Sequence, residues 1–310
     1  MSGLDDAKFL SDISLPGTHD TMTAHGSLLN MCWNPSTYLL HWYGPAYASL
    51  GLLPMGDATS VRTSCMCQSD TLPTQLNQGI RFIDLRIRYD GKNFDLYHGG
   101  FSLDVDMKAV LHDLKEFLIR NKRETVIVGY QCDKNDKGKC DDATSRALGN
   151  EFIALINTKV PGLFYDLSKS TKMPTLGDVR GKIVFYDQAG HGQGKLGLAK
   201  GMAEFESNTY QKVIETTVYF TKIKESYYSE LKANIQNCQG KSSTDEKFCL
   251  TWLSANDFNR WPGAGPNRIA NKVNPYMKDH LAKKKNQGPF GIVVMDFPTD
   301  DLIGTIVQNN

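Results

Sequence analysis

The chain has no apolar run approaching the roughly 20 residues that cross a bilayer. It also has no excess of one charge. Lys and Arg number 35 and Asp and Glu 34, a formal net charge of +1 over 310 residues. That balance excludes a strongly basic, phosphate-hungry surface, so nucleic acid is not an expected partner. Charged residues make up 22% and aromatics 10%, too little charge and too much aromatic for a disordered chain. No internal repeat or low-complexity linker marks a boundary, so one domain over 1–310 is expected. No GxGxxG fingerprint stands in a strand–helix setting, and the HGQGKLG stretch at 191–197 lacks Walker spacing and reads as loop.

The opening residues MSGLDDAKFLSD have neither a basic segment nor an apolar core, so no signal peptide is read there. That fits an intracellular protein or a chain that starts after a removed signal. Seven cysteines weigh on the choice: Cys32, Cys65, Cys67, Cys132, Cys140, Cys238 and Cys249. Cys132 and Cys140 flank one polar loop, Cys238 and Cys249 another, and a disulfide closing each would suit an oxidising compartment. Secretion is the resulting expectation, with buried reduced thiols as the alternative. A zinc finger is a poor reading, because Cys65 and Cys67 stand too close together and no His follows at finger spacing.

What is present is an alternation of short apolar runs with helical patterns. Strands are predicted at 12–17, 81–87, 94–99, 125–130, 182–187, 249–255 and 291–297. An amphipathic helix follows the third, with Met107, Val110, Leu111, Leu114, Phe117 and Leu118 at 3–4 residue spacing and Asp104 as candidate N-cap. Further helices are predicted near 143–157, 221–236, 267–284 and 299–308, the last with Asp300 as cap. Strands apolar on both faces that alternate with helices imply a parallel sheet covered by helices. A (β/α) barrel is the expected architecture, and an open doubly wound sheet the alternative.

In such a barrel, reacting groups gather at the C-terminal strand ends. The polar residues at those ends are His19 and Asp20, Arg86, His98 and Asp296. Two imidazoles, a guanidinium and two carboxylates suit acid–base work on a phosphate diester. One imidazole takes a proton from the attacking hydroxyl and the other gives one to the leaving oxygen. The guanidinium fork matches two phosphate oxygens. Each residue also has a structural alternative: His19 as a turn residue, Arg86 and Asp84 as a rim ion pair, His98 and Asp296 as caps. Their joint placement favours chemistry. His25, His41, His112, His191 and His280 have no such placement and read as structural or surface.

The stretches ISLPGTHD, QLNQGIRFIDLRIRYDG and LYHGG, followed by TLGDVRGKIVFYD and GIVVMDF, together resemble phosphatidylinositol-specific phospholipase C of the bacterial single X-domain type. The resemblance implies a distorted or incomplete (β/α)8 TIM barrel. It implies attack of the inositol 2-hydroxyl on phosphorus, giving a cyclic 1,2-phosphate and diacylglycerol. By position, His19 is then general base and His98 general acid, Arg86 binds phosphate, Asp20 supports the proton transfers, and Asp296 holds His19 in its working tautomer. Eukaryotic members hold calcium with acidic residues around the second strand. Here that position is Arg86, whose charge repels a cation and can do its electrostatic work, so no metal or other cofactor is expected.

The headgroup pocket departs from the bacterial type. Gln131 stands where a Lys is usual, Asp187 and Gln188 where an Arg is usual, and Asn208 and Tyr210 where an acid precedes an aromatic. Gln131, Asp187, Asn208 and Tyr210 are the candidate substrate contacts, with Tyr210 placed to stack on the ring. These changes leave open a glycosylated or otherwise different headgroup, another phosphodiesterase, or a non-catalytic headgroup-binding module. The segment 31–56 is rich in Trp and Tyr, and Trp42, with Trp261 in NRWPGAGP, is a candidate contact to a lipid surface. Trp33, Tyr43 and Tyr47 belong to the same segment, with core packing as their alternative. The expected partner is therefore a phospholipid at a membrane surface, met by a monomer.

Overall fold

The computed structural model describes residues 1–24, 66–98, 101–133, 140–166, 173–188, 190, 197–198, 203–207, 222–240, 247–255 and 265–310. Strand β1 spans Leu15–Thr18 and is followed by helix α1, Leu72–Gln78. Then come β2 (Phe82–Tyr89), β3 (Phe94–His98), β4 (Phe101–Asp106), α2 (Met107–Arg120) and β5 (Val126–Cys132). Helices α3 (Asp142–Ala147), α4 (Asn150–Lys159) and α5 (Leu176–Val179) lead to β6 (Ile183–Asp187) and β7 (Ala203–Ser207). The chain ends with α6 (Glu225–Gln239), β8 (Phe248–Trp252), α7 (Pro266–Lys283), β9 (Ile292–Met295) and α8 (Asp300–Val307).

Parallel pairing runs β6–β5–β2–β1–β9–β8–β7. Among the described residues nothing pairs β6 with β7, so the barrel is open on that side. This is the incomplete barrel that the sequence implies. Period-two alternation builds two cores. Phe82, Ile127, Val184, Tyr186, Phe248, Leu250, Trp252, Ile292 and Val294 fill the interior. Ile83, Leu85, Val128, Tyr130, Phe185, Val293 and Met295 point outward under the helices, where Leu111, Leu114, Met277 and Leu302 meet them. Each fully buried aliphatic or aromatic side chain is worth about 1.5–3 kcal/mol.

Several local expectations are corrected. β3 and β4 form an antiparallel hairpin hung on β2, with Ile87 opposite Leu96 and Tyr89 opposite Phe94. His98 thus lies on a returning arm rather than at a barrel-strand end. The α2 cap is Asp106, whose carboxylate accepts from the Ala109 N–H, while Asp104 sits in β4 at φ 53°. The α8 cap is Thr299, and Asp300 occupies the first turn, where its charge favours the helix dipole. Cys132 and Cys140 are joined by a disulfide, with Cα atoms 5.7 Å apart. Cys238 and Cys249 are not: both are buried thiols, and α6 and β8 carry them into the packed layer. Among the described residues no helix is long and apolar enough to cross a membrane.

Candidate active site

The alternation that builds the interior also builds the site. Along β2, Phe82 lies on the barrel floor, and Asp84 and Arg86 follow on the same inward face. Along β5 the inward positions are Ile127, Gly129 and Gln131. β1 ends in His19 and Asp20, and β9 ends in Asp296. Asp20 adopts φ 40° and Phe297 φ 42°, left-handed backbone immediately after His19 and after Asp296. Such conformations cost energy and persist where surrounding contacts hold them. The contacts are present: the Asp20 N–H donates to Asp84 Oδ2 at 3.1 Å, and the Phe297 N–H to the Cys67 carbonyl at 2.9 Å.

His19 Nδ1 is 2.8 Å from Asp296 Oδ1, both side chains being buried. The other ring nitrogen, Nε2, lies 3.1 Å from Asp20 Oδ2. His98 Nε2 reaches the same oxygen at 3.3 Å. The Arg86 Nε lies 3.4 Å from Asp20 Oδ1, and the guanidinium donates to Asp84 Oδ2 from Nε at 3.1 Å and Nη2 at 3.0 Å. Arg86 and His98 keep 21% and 15% of their side-chain surface exposed, against 5% for Asp20, so they face the open cleft. The Trp252 ring stands edge-on to His19, centroids 5.8 Å apart, and closes the floor behind it.

Asp84 is fully buried, and an unpaired carboxylate there would cost several kcal/mol. Besides Arg86 and the Asp20 N–H, it accepts from Gln188 Nε2 at 2.9 Å. Gln188 in turn accepts from Gln131 Nε2 at 2.6 Å. This amide pair crosses the barrel only because residue 129 is glycine: a Cβ there would overlap Gln188 Nε2 and lie 2.8 Å from Phe82 Cζ. Gln68 Nε2 donates to the His19 and Met295 carbonyls at 2.8 and 2.9 Å, tying β1 to β9 beneath the site. Asn274 on α7 donates to the Asp296 and Phe297 carbonyls at 2.9 and 3.0 Å.

The charges follow from this packing. Burial pushes the His19 imidazolium down, but the carboxylates of Asp20 and Asp296 outweigh it and hold the pKa at about 9. Burial raises Asp20, yet His19, His98 and Arg86 bring its carboxyl to about 2. Asp296 is raised, chiefly by burial, which the His19 ring offsets only in part.

His19, Asp20, Arg86, His98 and Asp296 are therefore brought together as expected, and Gln131 joins them at the cleft edge. Asp187 is not. It follows outward-facing Phe185 in register, is fully buried, and its carboxylate accepts from the Gly190 N–H at 2.7 Å. The side chain that enters the barrel from this stretch is its neighbour, Gln188. Asn208, Tyr210, Trp42, Trp261, Trp33, Tyr43 and Tyr47 lie outside the described residues, as do His25, His41 and His191. His112 is exposed on α2. His280 is half-buried, with burial and the nearby Lys284 lowering its pKa.

Residues 58–188 match the family Phosphatidylinositol-specific phospholipase C, X domain. A curated relative, the 1-phosphatidylinositol phosphodiesterase of Listeria monocytogenes, is 28% identical over 313 residues, covering 100% of this chain and 84% of the relative. The solved phosphatidylinositol-specific phospholipase C of Listeria monocytogenes superposes with a TM-score of 0.73 at 25% identity, over 100% of this chain and 97% of that one. A variant of the Staphylococcus aureus enzyme gives 0.74 at 19% identity, over 100% and 96%, a likeness of fold alone. In sequence along its whole length and in the architecture of its barrel, the chain resembles bacterial-type phosphatidylinositol-specific phospholipase C.

Proposed function

We propose that the protein is a phosphatidylinositol-type phospholipase C that cleaves the bond between phosphate and diacylglycerol by intramolecular attack. The observation that carries this reading is the single oxygen, Asp20 Oδ2, that both imidazoles address from their Nε2 atoms at 3.1 and 3.3 Å. An oxyanion already fits between the rings with a guanidinium beside it. A phosphoryl group makes the same demand on the same donors. The distances say which contacts yield to it. Charge-assisted N–H···O contacts settle near 2.7–2.9 Å. The His19–Asp296 bond at 2.8 Å lies in that range and is kept. The contacts of Asp20 to His19, His98 and Arg86, at 3.1, 3.3 and 3.4 Å, are looser and are exchanged for phosphate oxygens.

In the proposed reaction His19 Nε2 takes the proton of the inositol 2-hydroxyl, and its oxygen bonds to phosphorus. The bond from phosphorus to the diacylglycerol oxygen breaks, and His98 Nε2 gives that oxygen a proton. The products are inositol 1,2-cyclic phosphate and diacylglycerol. Asp296 fixes the His19 tautomer and stabilises the imidazolium. Arg86, aimed by Asp84, carries the charge on the phosphoryl oxygens. Its guanidinium stands 3.0 Å from Asp84 and 3.4 Å from Asp20, the position from which these carboxylates would otherwise hold a hard cation. The chemistry is accordingly proposed to need no metal.

Gln131 is proposed to meet the headgroup. Work as a monomer at a lipid surface, with Trp42 and Trp261 as anchors, and a single catalytic domain over the whole chain rest on the sequence. Secretion is supported by the Cys132–Cys140 disulfide. Phosphorus NMR of the products formed from phosphatidylinositol, with and without chelator, tests the reading. A cyclic 1,2-phosphate formed equally in both supports it. An acyclic product or dependence on a metal favours another phosphodiesterase, and binding without turnover favours a headgroup-binding module.

A further inference from the structure

The reaction proposed above makes no use of Cys67. Its thiol is fully buried, and its backbone is fixed on both sides, the N–H donating to Thr23 Oγ1 at 3.0 Å and the carbonyl accepting from Phe297. The sulfur, one His19 ring nitrogen and one Asp296 carboxylate oxygen all lie within 4.8 Å of one another. The same sulfur forms a second such group with Asp20 and His98. Around a tetrahedral zinc ion, with bonds of roughly 2.0–2.3 Å, ligand atoms stand about 3.3–3.7 Å apart. A pair at the 4.8 Å limit has to close by about 1–1.5 Å, while the His19 Nδ1–Asp296 Oδ1 hydrogen bond at 2.8 Å has to open to admit the ion.

Two further observations favour a cation here. Asp20 Oδ1 is buried and makes no hydrogen bond, Arg86 Nε standing off it at 3.4 Å. Asp296 and Asp20 each share a group with the Cys67 sulfur, and of the cations beside them Arg86 is already engaged by Asp84 and Asp20, while the His19 imidazolium loses its charge when the ion binds. Thiolate and imidazole together select a zinc-class ion over Ca²⁺ or Mg²⁺, which take oxygen ligands.

We infer that Cys67, His19 and Asp296 form an inhibitory site for a zinc-class cation, with Asp20 and His98 lining its other side. Binding takes the proton from the Cys67 sulfur and one from the His19 imidazolium, and both go to solvent. Until the ion arrives the thiol stays protonated, because burial first and then the Asp296 and Asp20 carboxylates push its pKa up. A bound ion at Nε2 occupies the lone pair that takes the proton, and one at Nδ1 displaces the Asp296 bond and leaves the ring proton on Nε2; either stops the transfer, so inhibition rests on the phospholipase reading while metal binding does not.

The metal-free protein is titrated with Co²⁺ and followed for the thiolate-to-cobalt charge-transfer band. The band is expected in the wild type, is expected to be displaced by Zn²⁺ and not by Ca²⁺, and is expected to vanish in both Cys67→Ala and Cys67→Ser. In parallel, the zinc concentration that halves turnover, each variant measured against its own metal-free rate, should rise by at least ~10-fold. Cobalt bound without the band, or equal zinc sensitivity in both variants, overturns the site. The band in a protein that never turns over the phospholipid leaves the metal site standing and overturns the phospholipase reading instead.

Discussion

His19 and His98 share one oxygen. Their Nε2 atoms stand 3.1 and 3.3 Å from Asp20 Oδ2, one ring at the end of β1 and the other on the antiparallel arm that returns beside β2. The two rings thus approach a common point from different elements, which opposed proton transfers on one phosphorus require. Asp20 holds that point, and its left-handed backbone, donating its N–H to Asp84, aims its carboxylate there.

The His19–Asp296 bond should govern the pH–rate profile. His19 acts as base only when neutral, and the Asp296 carboxylate is among the charges that hold its pKa at about 9. In Asp296→Asn the carboxylate is lost, the imidazolium becomes more acidic, and the ascending limb of kcat against pH moves to lower pH. The plateau falls as well, because the tautomer is no longer fixed. A limb that stays in place shows that another group titrates there.

The same charges set a pH window for stability. The His19 pKa is raised in the folded state from 6.5 to about 9, so the stability it contributes is complete below 6.5 and is lost as pH rises through 9. Asp20 is lowered from 3.8 to about 2, so its contribution is complete above 3.8 and is lost as pH falls through 2. Denaturant unfolding of the wild type should therefore weaken between pH 6.5 and 9, by at most about 3 kcal/mol from this group. His19→Gln should flatten that slope. An equal slope in the variant would show that the decline comes from elsewhere.

Gln188 is a positioning residue for Arg86, acting through Asp84. Gln188→Ala should lower kcat about tenfold or more and cost about 1.5–3 kcal/mol of stability at most, the scale of a lost hydrogen bond to a charged carboxylate that keeps its other partners. Gln188→Glu should do worse, since it sets a second carboxylate against Asp84. Gly129→Ala should lower kcat and also cost about 1–3 kcal/mol of stability through the contact with Phe82. Unchanged kcat in Gln188→Ala, read with thermal unfolding, would remove the relay from the account.

Much of this site is legible in the sequence because strand ends and period-two alternation place side chains without knowledge of the fold. Asp84 and Arg86 fall on one face of β2 for that reason alone, and His19 and Asp296 follow apolar runs that end together. The alternation rule also accounts for Asp187: one residue past inward Tyr186, it faces the outer layer. What the sequence does not show are contacts across the barrel. Gln188 meets Asp84 only because β5 lies between β2 and β6, and Gln68 joins carbonyls of β1 and β9 that are far apart in the chain. The hairpin register behind His98 and the choice of Asp106 over Asp104 as cap are likewise set by neighbouring strands. The polar loop between Cys238 and Cys249 resembles the one that a disulfide closes, yet both thiols are drawn into the apolar layer between α6 and β8, where burial in place of oxidation accounts for them.

The dependence of rate on leaving group tests the two-imidazole claim most directly. Turnover of an inositol phosphodiester with an alkyl leaving group is compared with one whose aryl leaving group needs no proton. His98→Ala should lose at least ~10²-fold on the alkyl substrate and recover most of that on the aryl one, while His19→Ala should lose at least ~10²-fold on both. Equal losses on both substrates in His98→Ala, or near wild-type rates in either variant, would contradict the assignment of acid and base to these two rings.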